Sequence, residues 1–138
     1  MPYLAAAALK DEVNAMENGL ETVIGPSGAR LSGGQAQRLA LARTLAHPRP
    51  VLVLDDPFSA LDRKTEEQVF ANLRKMTAGS TVLLISHRLY LFPQMDGVLW
   101  MQDGKAVCAV HEELMAQNPQ YAALVSAQEG GEQDEPEK

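Results

Sequence analysis

Two short runs of apolar residues near the middle of the chain are separated by an amphipathic segment. The first run is Val51 to Leu54, and the second is "STVLLIS", Ser80 to Ser86. Continuous apolar runs of this length are typical of strands that are buried on both faces of a parallel sheet. The segment between them, Arg63 to Met76, places Val69, Leu73 and Met76 on one side of a helix. Strand, helix and strand in this order predict an α/β protein.

The residues before the first strand predict two helices and a loop. An alanine-rich stretch from Tyr3 to Met16 predicts the first helix. The loop "ETVIGPSGAR" follows, because its glycines and its proline are turn residues. The second helix is predicted from Gly34 to Ala46, and Pro48 ends it.

The residues after the second strand predict a hairpin and two short helices. The apolar segments "GVLWM" and "KAVCAV" flank "QDGK", in which Asp-Gly favours a tight turn. Cys108, in the second of these segments, is expected to be a small buried core residue. The helices are predicted at Glu112 to Gln117 and Gln120 to Ser126, and the tail from Gln128 onward is predicted to be disordered.

Charge is concentrated at the C-terminus. The net charge is −6, and the last ten residues hold five acidic residues and one lysine, which account for −4 of it. The rest of the sequence has no basic stripe of the kind that binds a phosphate backbone, so no direct contact with nucleic acid is expected. One cysteine cannot form an internal disulfide, and no apolar run reaches the roughly 18 residues of a membrane span. We expect a soluble chain, or the soluble part of something larger.

The segment "LSGGQ", Leu31 to Gln35, combines a capping pattern with adjacent glycines. Ser32 and Gln35 have the spacing of a capping box at a helix start, so a purely structural role is one interpretation. The other interpretation is an anion site, because glycines let a ligand approach the backbone and a helix N-terminus presents free N–H groups. The segment alone does not decide between them.

Carboxylates and a histidine follow the ends of the predicted strands. Asp55 and Asp56 end "VLVLDD", at the carboxyl edge of a parallel sheet, where such sheets bind ligands. Asp62 in "SALD" precedes a helix and is also a candidate N-cap. His87 ends the second strand in "LLISH", a place where a histidine is often structural. Each residue therefore has a structural and a functional interpretation.

The order of these segments favours the functional interpretation. "LSGGQAQR", "VLVLDD", "SALD" and "ISH" occur in this order between Leu31 and His87. They resemble the signature motif, the Walker B strand, the D-loop and the switch-histidine segment of the ATP-binding-cassette (ABC) family. "GLETVIGPSGARLSGGQ" and "HEELMAQNPQYAALV" are similar to exporter-type members. The resemblance extends to about Ser126 and implies an α/β P-loop NTPase fold of the ABC ATPase type.

The phosphate-binding loop of that family, Gly-x-x-x-x-Gly-Lys-Ser/Thr, is absent from the 138 residues. In the family this loop, the aromatic residue that stacks on adenine and the Gln loop all precede the signature helix. The resemblance therefore implies the C-terminal part of a nucleotide-binding domain, within residues 1–127, and an isolated chain that is inactive as an ATPase. Residues 1–46 would form the helical subdomain and signature helix. Residues 47–127 would form the catalytic-core part, with parallel strands, flanking helices and a C-terminal hairpin, and 128–138 an acidic tail.

The resemblance assigns a role to each candidate residue, because two such domains pair head to tail with ATP between them. The signature residues would contact the γ-phosphate of ATP held by the partner domain: Ser32, Gly33, Gly34 and Gln35. Asp55 would orient Mg²⁺ through water, and Asp56 stands at the position of the general base. His87 would contact the γ-phosphate and help order the attacking water. Asp62 would pass information between the two sites.

Asp56 departs from the family pattern, which has glutamate at this position. Aspartate is one methylene shorter, so its carboxylate stops about 1.5 Å further back. A misplacement of about 1 Å can cost on the order of 100-fold in rate. In exporter-type members this replacement resembles the degenerate site of heterodimeric transporters, so the resemblance is compatible with an unlike partner chain.

Three functions follow from these observations. The first is the ATPase part of an ABC exporter at the cytoplasmic face of the plasma (inner) membrane, with transporter membrane domains and a second ABC ATPase domain as partners. The second is a non-catalytic chain that pairs with or regulates a complete ABC ATPase domain. The third is a DNA-repair or chromosome-maintenance ATPase, which a basic surface and long coiled-coil heptads would favour. The sequence has neither of these two features.

Overall fold

A parallel pair of strands and an antiparallel hairpin organise the chain in a computed structural model, which describes residues 1–47 and 49–132. The chain divides into two compact units, Met1–Ser86 and a second that begins at His87. Short 3-10 helices cover Gly19–Glu21 and Leu89–Gln94. The helices and strands of the described residues are α1 Pro2–Ala6, α2 Lys10–Asn14, α3 Gly33–Leu45, β1 Val51–Asp55, α4 Arg63–Met76, β2 Thr81–Ile85, β3 Val98–Gln102, β4 Lys105–Ala109, α5 His111–Gln117 and α6 Pro119–Glu132.

The first unit contains the predicted strand, helix and strand. β1 and β2 pair in parallel, with Val51 opposite Thr81 and Asp55 opposite Ile85. α4 connects them over the predicted range. The prediction of an α/β fold is therefore confirmed, and parallel pairing brings the carboxyl ends of both strands to one edge of the sheet.

One face of this strand pair is buried. Leu52 and Leu54 on β1 are both buried, as is Phe58 just after the strand. The rings of Phe58 and Phe70 meet edge to face with their centroids 6.3 Å apart. α1 contacts both α3 and α4. Apolar burial of this kind is the main favourable term in folding, and here it holds the residues after β1 against α4.

The opposite face of the strand pair is exposed. Val51 and Val53 are 60% and 61% exposed, and Leu83 and Ile85 are 44% and 49% exposed. A continuous apolar run predicts burial on both faces, but in the part of the chain that the structure describes only one face is covered. The prediction of two strands is confirmed, and the prediction of burial on both faces is wrong for these residues.

The alanine-rich N-terminal segment forms two short helices rather than the single predicted helix. Ala8 lies between α1 and α2 with a φ of 52°, a conformation that residues other than glycine rarely adopt. The Ala8 carbonyl accepts a hydrogen bond from Arg38 Nη1 at 2.6 Å, and Leu9 is buried. Contacts with α3 therefore override the high intrinsic helix propensity of alanine.

The second unit is built on the predicted hairpin. β3 and β4 pair antiparallel, with Gln102 opposite Lys105. Asp103 and Gly104 both have positive φ, as a type I′ turn requires. Cys108 on β4 is exposed, so the expectation that it is a buried core residue is wrong. It stands on the outward side of the hairpin, because the buried cluster of the unit lies on the other side: Leu89, Val98, Leu114, Tyr121 and Val125.

The C-terminal helix is longer than predicted. α6 continues to Glu132, past Gln128, where the prediction of a disordered tail begins. Residues 133–138 of the predicted tail lie outside the described residues. Neither α6 nor any other helix in the described ranges combines the length and the apolar character that crossing a membrane requires.

Candidate functional site

Helix α3 begins at the "LSGGQ" segment, and a capping box closes its first turn. Ser32 is the N-cap, and its Oγ accepts a hydrogen bond from the Gln35 N–H at 3.2 Å. Gln35 Oε1 in turn accepts a hydrogen bond from the Ser32 N–H at 2.9 Å. The capping box that the spacing predicts is therefore confirmed.

The same turn keeps donors that an anion can use. The N–H groups of Gly33 and Gly34 have no acceptor within the helix, because no preceding turn exists. A side chain built on Gly33 would meet nothing within 4 Å, whereas one on Gly34 would lie 3.2 Å from the Ala60 carbonyl oxygen. The turn is thus open on one side and packed against the "SALD" segment on the other. Such an exposed helix start fits a phosphate group.

A polar network holds the start of α3 against α2. Glu12 on α2 accepts a hydrogen bond from Gln35 Nε2 at 2.7 Å, and its other carboxylate oxygen lies 2.6 Å from Arg38 Nη1. Arg38 Nε also donates to the Gly34 carbonyl at 3.3 Å. Both ends of the Gln35 amide thus make hydrogen bonds within the chain. The Nε2 group carries two N–H donors, so the hydrogen bond to Glu12 leaves one donor for another acceptor.

We expect Glu12→Gln to destabilise the protein at neutral pH and to have a much smaller effect near pH 3. Burial raises the pKa of Glu12, but hydrogen bonds from Gln35 and Arg38 and the charge of Arg38 bring it below its usual 4.5. A carboxylate with a lowered folded-state pKa contributes stability above its unfolded pKa, and this stability is lost as the pH falls through the folded pKa. Because Glu12 is 37% exposed, the effect at neutral pH should be no more than about 1 kcal/mol.

Urea unfolding of the parent protein and of Glu12→Gln, at neutral pH and near pH 3, measures the change in the free energy of unfolding. The matched control is Glu67→Gln, which removes the exposed ion pair with Arg63 on α4. This control should change the free energy of unfolding by only a few tenths of a kcal/mol. Equal destabilisation by Glu12→Gln at both pH values would contradict the network.

β1 ends at Asp55, and the backbone turns sharply at Asp56, the next residue. Asp55 is exposed, and Asp56 has a φ of 42°. This left-handed region is one that aspartate tolerates better than most residues. The Asp56 N–H donates to the Ile85 carbonyl at 2.7 Å, so the end of β2 fixes the turn. Both carboxylates therefore stand at the carboxyl edge of the sheet.

Asp55 is the candidate ligand for Mg²⁺. Across the described residues, no group of three or more His, Cys, Asp or Glu side chains is arranged to hold a metal ion. One exposed carboxylate nevertheless fits Mg²⁺, because this ion keeps several waters and takes one or two protein carboxylates together with substrate phosphates. The donor set is thus suited to a metal that arrives with a nucleotide.

Asp62 is the N-cap of α4. Its Oδ1 accepts a hydrogen bond from the Thr65 N–H at 3.0 Å. Hydrogen bonds from the side chain and from the backbone N–H of Thr65 lower the pKa of Asp62. The capping role considered for "SALD" is therefore confirmed, and the role between two ATP sites stays a prediction.

His87 opens the second unit with an exposed side chain. Its backbone carbonyl accepts a hydrogen bond from Gln128 Nε2, and Gln128 Oε1 accepts one from the Leu89 N–H at 3.1 Å. One amide side chain on α6 therefore holds the backbone on both sides of Arg88. This contact sets the path of the chain directly after His87.

The first unit brings three of the predicted segments together. Gly34 at the start of α3 approaches Ala60, and Gln37 on the same helix donates to the Asp56 carbonyl at 2.7 Å. The sequence singled out neither Gln37 nor Glu12 nor Gln128. Their contacts join residues 19, 23 and 41 positions apart, and local patterns along a sequence carry no signal for such distant pairs.

The sequence is similar to known ABC transporters. A family model for the ABC transporter matches residues 6–59. An ATP-dependent lipid A-core flippase of Paraburkholderia xenovorans (strain LB400) is 46% identical over 122 residues, which are 88% of this chain and 20% of the flippase. The ATP-dependent lipid A-core flippase of Bordetella pertussis is 45% identical over 126 residues, 91% of this chain and 20% of that protein. The chain thus spans about a fifth of the length of these curated relatives.

A solved structure is similar in fold as well. It is that of a bacterial Atm1-family ABC exporter with ATP bound, which matches with a TM-score of 0.83 and 32% identity. The match covers 91% of this chain and 22% of the exporter chain. Sequence and fold therefore point to the same class of protein.

Proposed function

We propose that this chain forms one side of an ATP site whose phosphate loop lies on a partner domain. The chain belongs to the ABC transporter family and corresponds to the nucleotide-binding part of its exporters. The observation that carries this proposal is the first turn of α3. Gly33 faces open space, while Gly34 lies against the "SALD" segment. This geometry leaves room for a ligand at the helix start, while the contact with Ala60 holds that start in place.

At the signature side, the chain would bind the γ-phosphate of the partner's ATP. The Ser32 hydroxyl and the N–H groups of Gly33 and Gly34 would donate to its oxygens, and the positive end of the α3 dipole would favour the negative charge. Donors that are already in place stabilise charge on a phosphoryl group during transfer without reorganisation. Gln35 would join them through the Nε2 N–H that it does not donate to Glu12.

At its own side, the chain would supply the acidic and histidine groups. Asp55 would hold Mg²⁺ through water, and the ion would supply positive charge to neutralise the phosphates. Asp56 would accept a proton from the attacking water, and His87 would help to place that water. Asp62 would connect the two sites while it caps α4. These roles follow the family pattern residue by residue, with Asp56 in place of its glutamate.

The proposed whole-protein role is ATP-driven export at the cytoplasmic face of the plasma (inner) membrane. The partners would be transporter membrane domains and a second ABC ATPase domain, including an unlike one. Because the two curated relatives are named as lipid A-core flippases, a lipid of that class is the substrate we propose. The matches are to transporters, so the DNA-repair alternative is not retained.

A chimera tests the proposed ATP site. In the Paraburkholderia xenovorans flippase, the 122 aligned residues are replaced by those of this chain, so that the flippase supplies the preceding part of the domain. The chimera is then paired with a flippase copy whose own signature is disabled. In this pair, the signature-site heterodimer, hydrolysis requires Ser32 to Gln35 of the chimera. We expect Mg²⁺-dependent turnover at this site comparable to that of one unaltered flippase site.

The isolated chain is the control, and it should neither hydrolyse ATP nor bind it tightly, because its sequence contains no phosphate loop. Titration calorimetry with MgATP measures the affinity, and submicromolar binding would contradict this expectation. A signature-site heterodimer that assembles but does not hydrolyse ATP would favour the alternative of a non-catalytic chain that pairs with or regulates a complete ATPase domain.

A further inference from the structure

Gln37 lies on α3, two residues after the signature glutamine, and its side-chain amide contacts two of the segments described above. Its Nε2 donates to the Asp56 carbonyl at 2.7 Å and to Ser59 Oγ at 3.1 Å. Its Oε1 accepts a hydrogen bond from the Ala60 N–H at 3.3 Å. One amide group therefore uses its donor end and its acceptor end on the two sides of Pro57 and Phe58, the residues between Asp56 and "SALD".

The contact with Asp56 acts on a strained position. Asp56 has a φ of 42°, and residues in this region keep such a conformation only when their surroundings over-determine it. The Asp56 N–H donates to the Ile85 carbonyl, and the Asp56 carbonyl accepts a hydrogen bond from Gln37, each at 2.7 Å. With both peptide groups held, the direction of the Cα–Cβ bond is set, and with it the place that the carboxylate can reach.

Ala60 contacts α3 at two places, at Gln37 and at Gly34. Gly34, one turn before Gln37, leaves only 3.2 Å between a built Cβ and the Ala60 carbonyl oxygen. The peptide groups on both sides of Ala60 thus lie against α3. A displacement of the signature turn therefore displaces "SALD" and the Asp56 backbone with it, because packed elements move as units rather than deform.

We propose that Gln37 is a positioning residue that ties the signature turn of α3 to the Asp56 turn and the "SALD" segment, so that phosphate binding at one ATP site sets the geometry of the acidic residue at the other. The inference rests on the proposed function for its catalytic consequence. Its structural part, the two-ended amide clamp, stands on the contacts alone. Gln37 itself touches no reacting atom.

The first experiment measures the clamp in this chain itself, without any nucleotide. Gln37→Met keeps the length of the side chain and removes the donor and the acceptor. Loss of a hydrogen bond worth about 1 kcal/mol corresponds to roughly a five- to tenfold rise in exchange, so the Ala60 amide should exchange with solvent faster by that factor. The Thr65 amide, bonded to Asp62, should not change, and it reports that the variant is folded. Gln68→Met, on an exposed position of α4, is the matched control.

The second experiment measures the catalytic consequence at the site that contains Asp56. The chimera is paired with a flippase copy whose phosphate loop is disabled, which gives the own-site heterodimer. Gln37→Met should lower kcat about tenfold or more with an unchanged KM for ATP, because small misplacements of a catalytic group cost on the order of 100-fold. In an Asp56→Asn background the same change should cost nothing further, because the residue through which Gln37 acts is already lost.

Each outcome has one meaning. An Ala60 amide that exchanges no faster in Gln37→Met, or equal losses of kcat with and without the Asp56 carboxylate, would overturn the role of Gln37. A chimera that hydrolyses no ATP before any change at Gln37 would overturn the proposed function instead, and the amide exchange would still test the clamp. A second variant, Gln37→Glu, keeps the acceptor and loses the donor. It should release Asp56 while the contact with Ala60 remains.

Discussion

Ser32→Arg is expected to lower ATP turnover in the signature-site heterodimer by at least about 100-fold, since loss of one preorganised donor to a transition-state anion already costs roughly 10² to 10³. The arginine side chain would enter the space in front of Gly33, where a built side chain meets no atom within 4 Å. It would also remove the Oγ that accepts from Gln35, and loss of an N-cap costs about 1 kcal/mol of stability. The phosphate would thus lose both room and a donor.

Ser32→Ala separates these two effects. Alanine removes the cap and the hydroxyl but leaves the space open, so its turnover should fall less than that of Ser32→Arg. Single-turnover hydrolysis in the signature-site heterodimer measures both variants, and the own-site heterodimer shows whether the effect is confined to the partner's ATP. Survival of turnover at the partner's phosphate loop with Ser32→Arg would mean that this signature does not face that site.

The parts of the fold that the sequence predicts are those with a local cause. Two apolar runs and an amphipathic segment predict β1, α4 and β2, and Asp103-Gly104 predicts the tight hairpin turn, which the structure confirms. The break at Ala8 has no local cause, because alanine favours a helix. It arises where Arg38, 30 positions away, donates to the Ala8 carbonyl. Tertiary contacts of this kind are invisible to periodicity.

Burial shows the same limit on sequence reasoning. An apolar run records that a residue type suits an interior, but it does not record what covers it. Val51 and Val53 lie on the exposed face of the strand pair, and Cys108 lies on the outer side of the hairpin. The alternation along each strand decides which face these residues occupy, and the packing of distant elements decides whether that face is covered.

For the candidate site, motifs predict which residues carry the chemistry, and the structure adds what holds them. The capping box of Ser32 and Gln35 follows from spacing alone, because both partners lie within one turn. The contacts of Gln37 with Asp56 and of Glu12 with Gln35 do not, since each joins separate elements. Sequence reasoning thus finds the groups that face a ligand more readily than the groups behind them.

The backbone at Asp56 gives a physical reason for aspartate at this position. A φ of 42° is costly for most side chains, and aspartate is among the residues that adopt it most readily. Glutamate at the same backbone is expected to cost roughly 1 kcal/mol more stability, within the range of the left-handed penalty. At position 56 the reach of the carboxylate therefore favours glutamate, whereas the backbone conformation favours aspartate.

Asp56→Glu is expected to raise ATP turnover in the own-site heterodimer by about 100-fold, because it restores roughly 1.5 Å of reach to the carboxylate. General-base catalysis is worth roughly 10²- to 10⁴-fold, so this gain should exceed the effect of a slightly less stable turn. Ile85 and Gln37 hold both peptide groups of residue 56, which keeps the backbone in place after the substitution.

Single-turnover hydrolysis by the own-site heterodimer checks this expectation, with Asp56→Asn as the control that removes the base altogether. If Asp56→Glu is faster than the parent while Asp56→Asn is slower by about tenfold or more, the aspartate is a base with too short a reach and this site is the weaker of an unequal pair. If Asp56→Glu is slower and Asp56→Asn is slower still, Asp56 is a working base that neighbouring groups have moved inward to meet. The hypothesis of a degenerate site would then be wrong, and so would the argument for an unlike partner chain.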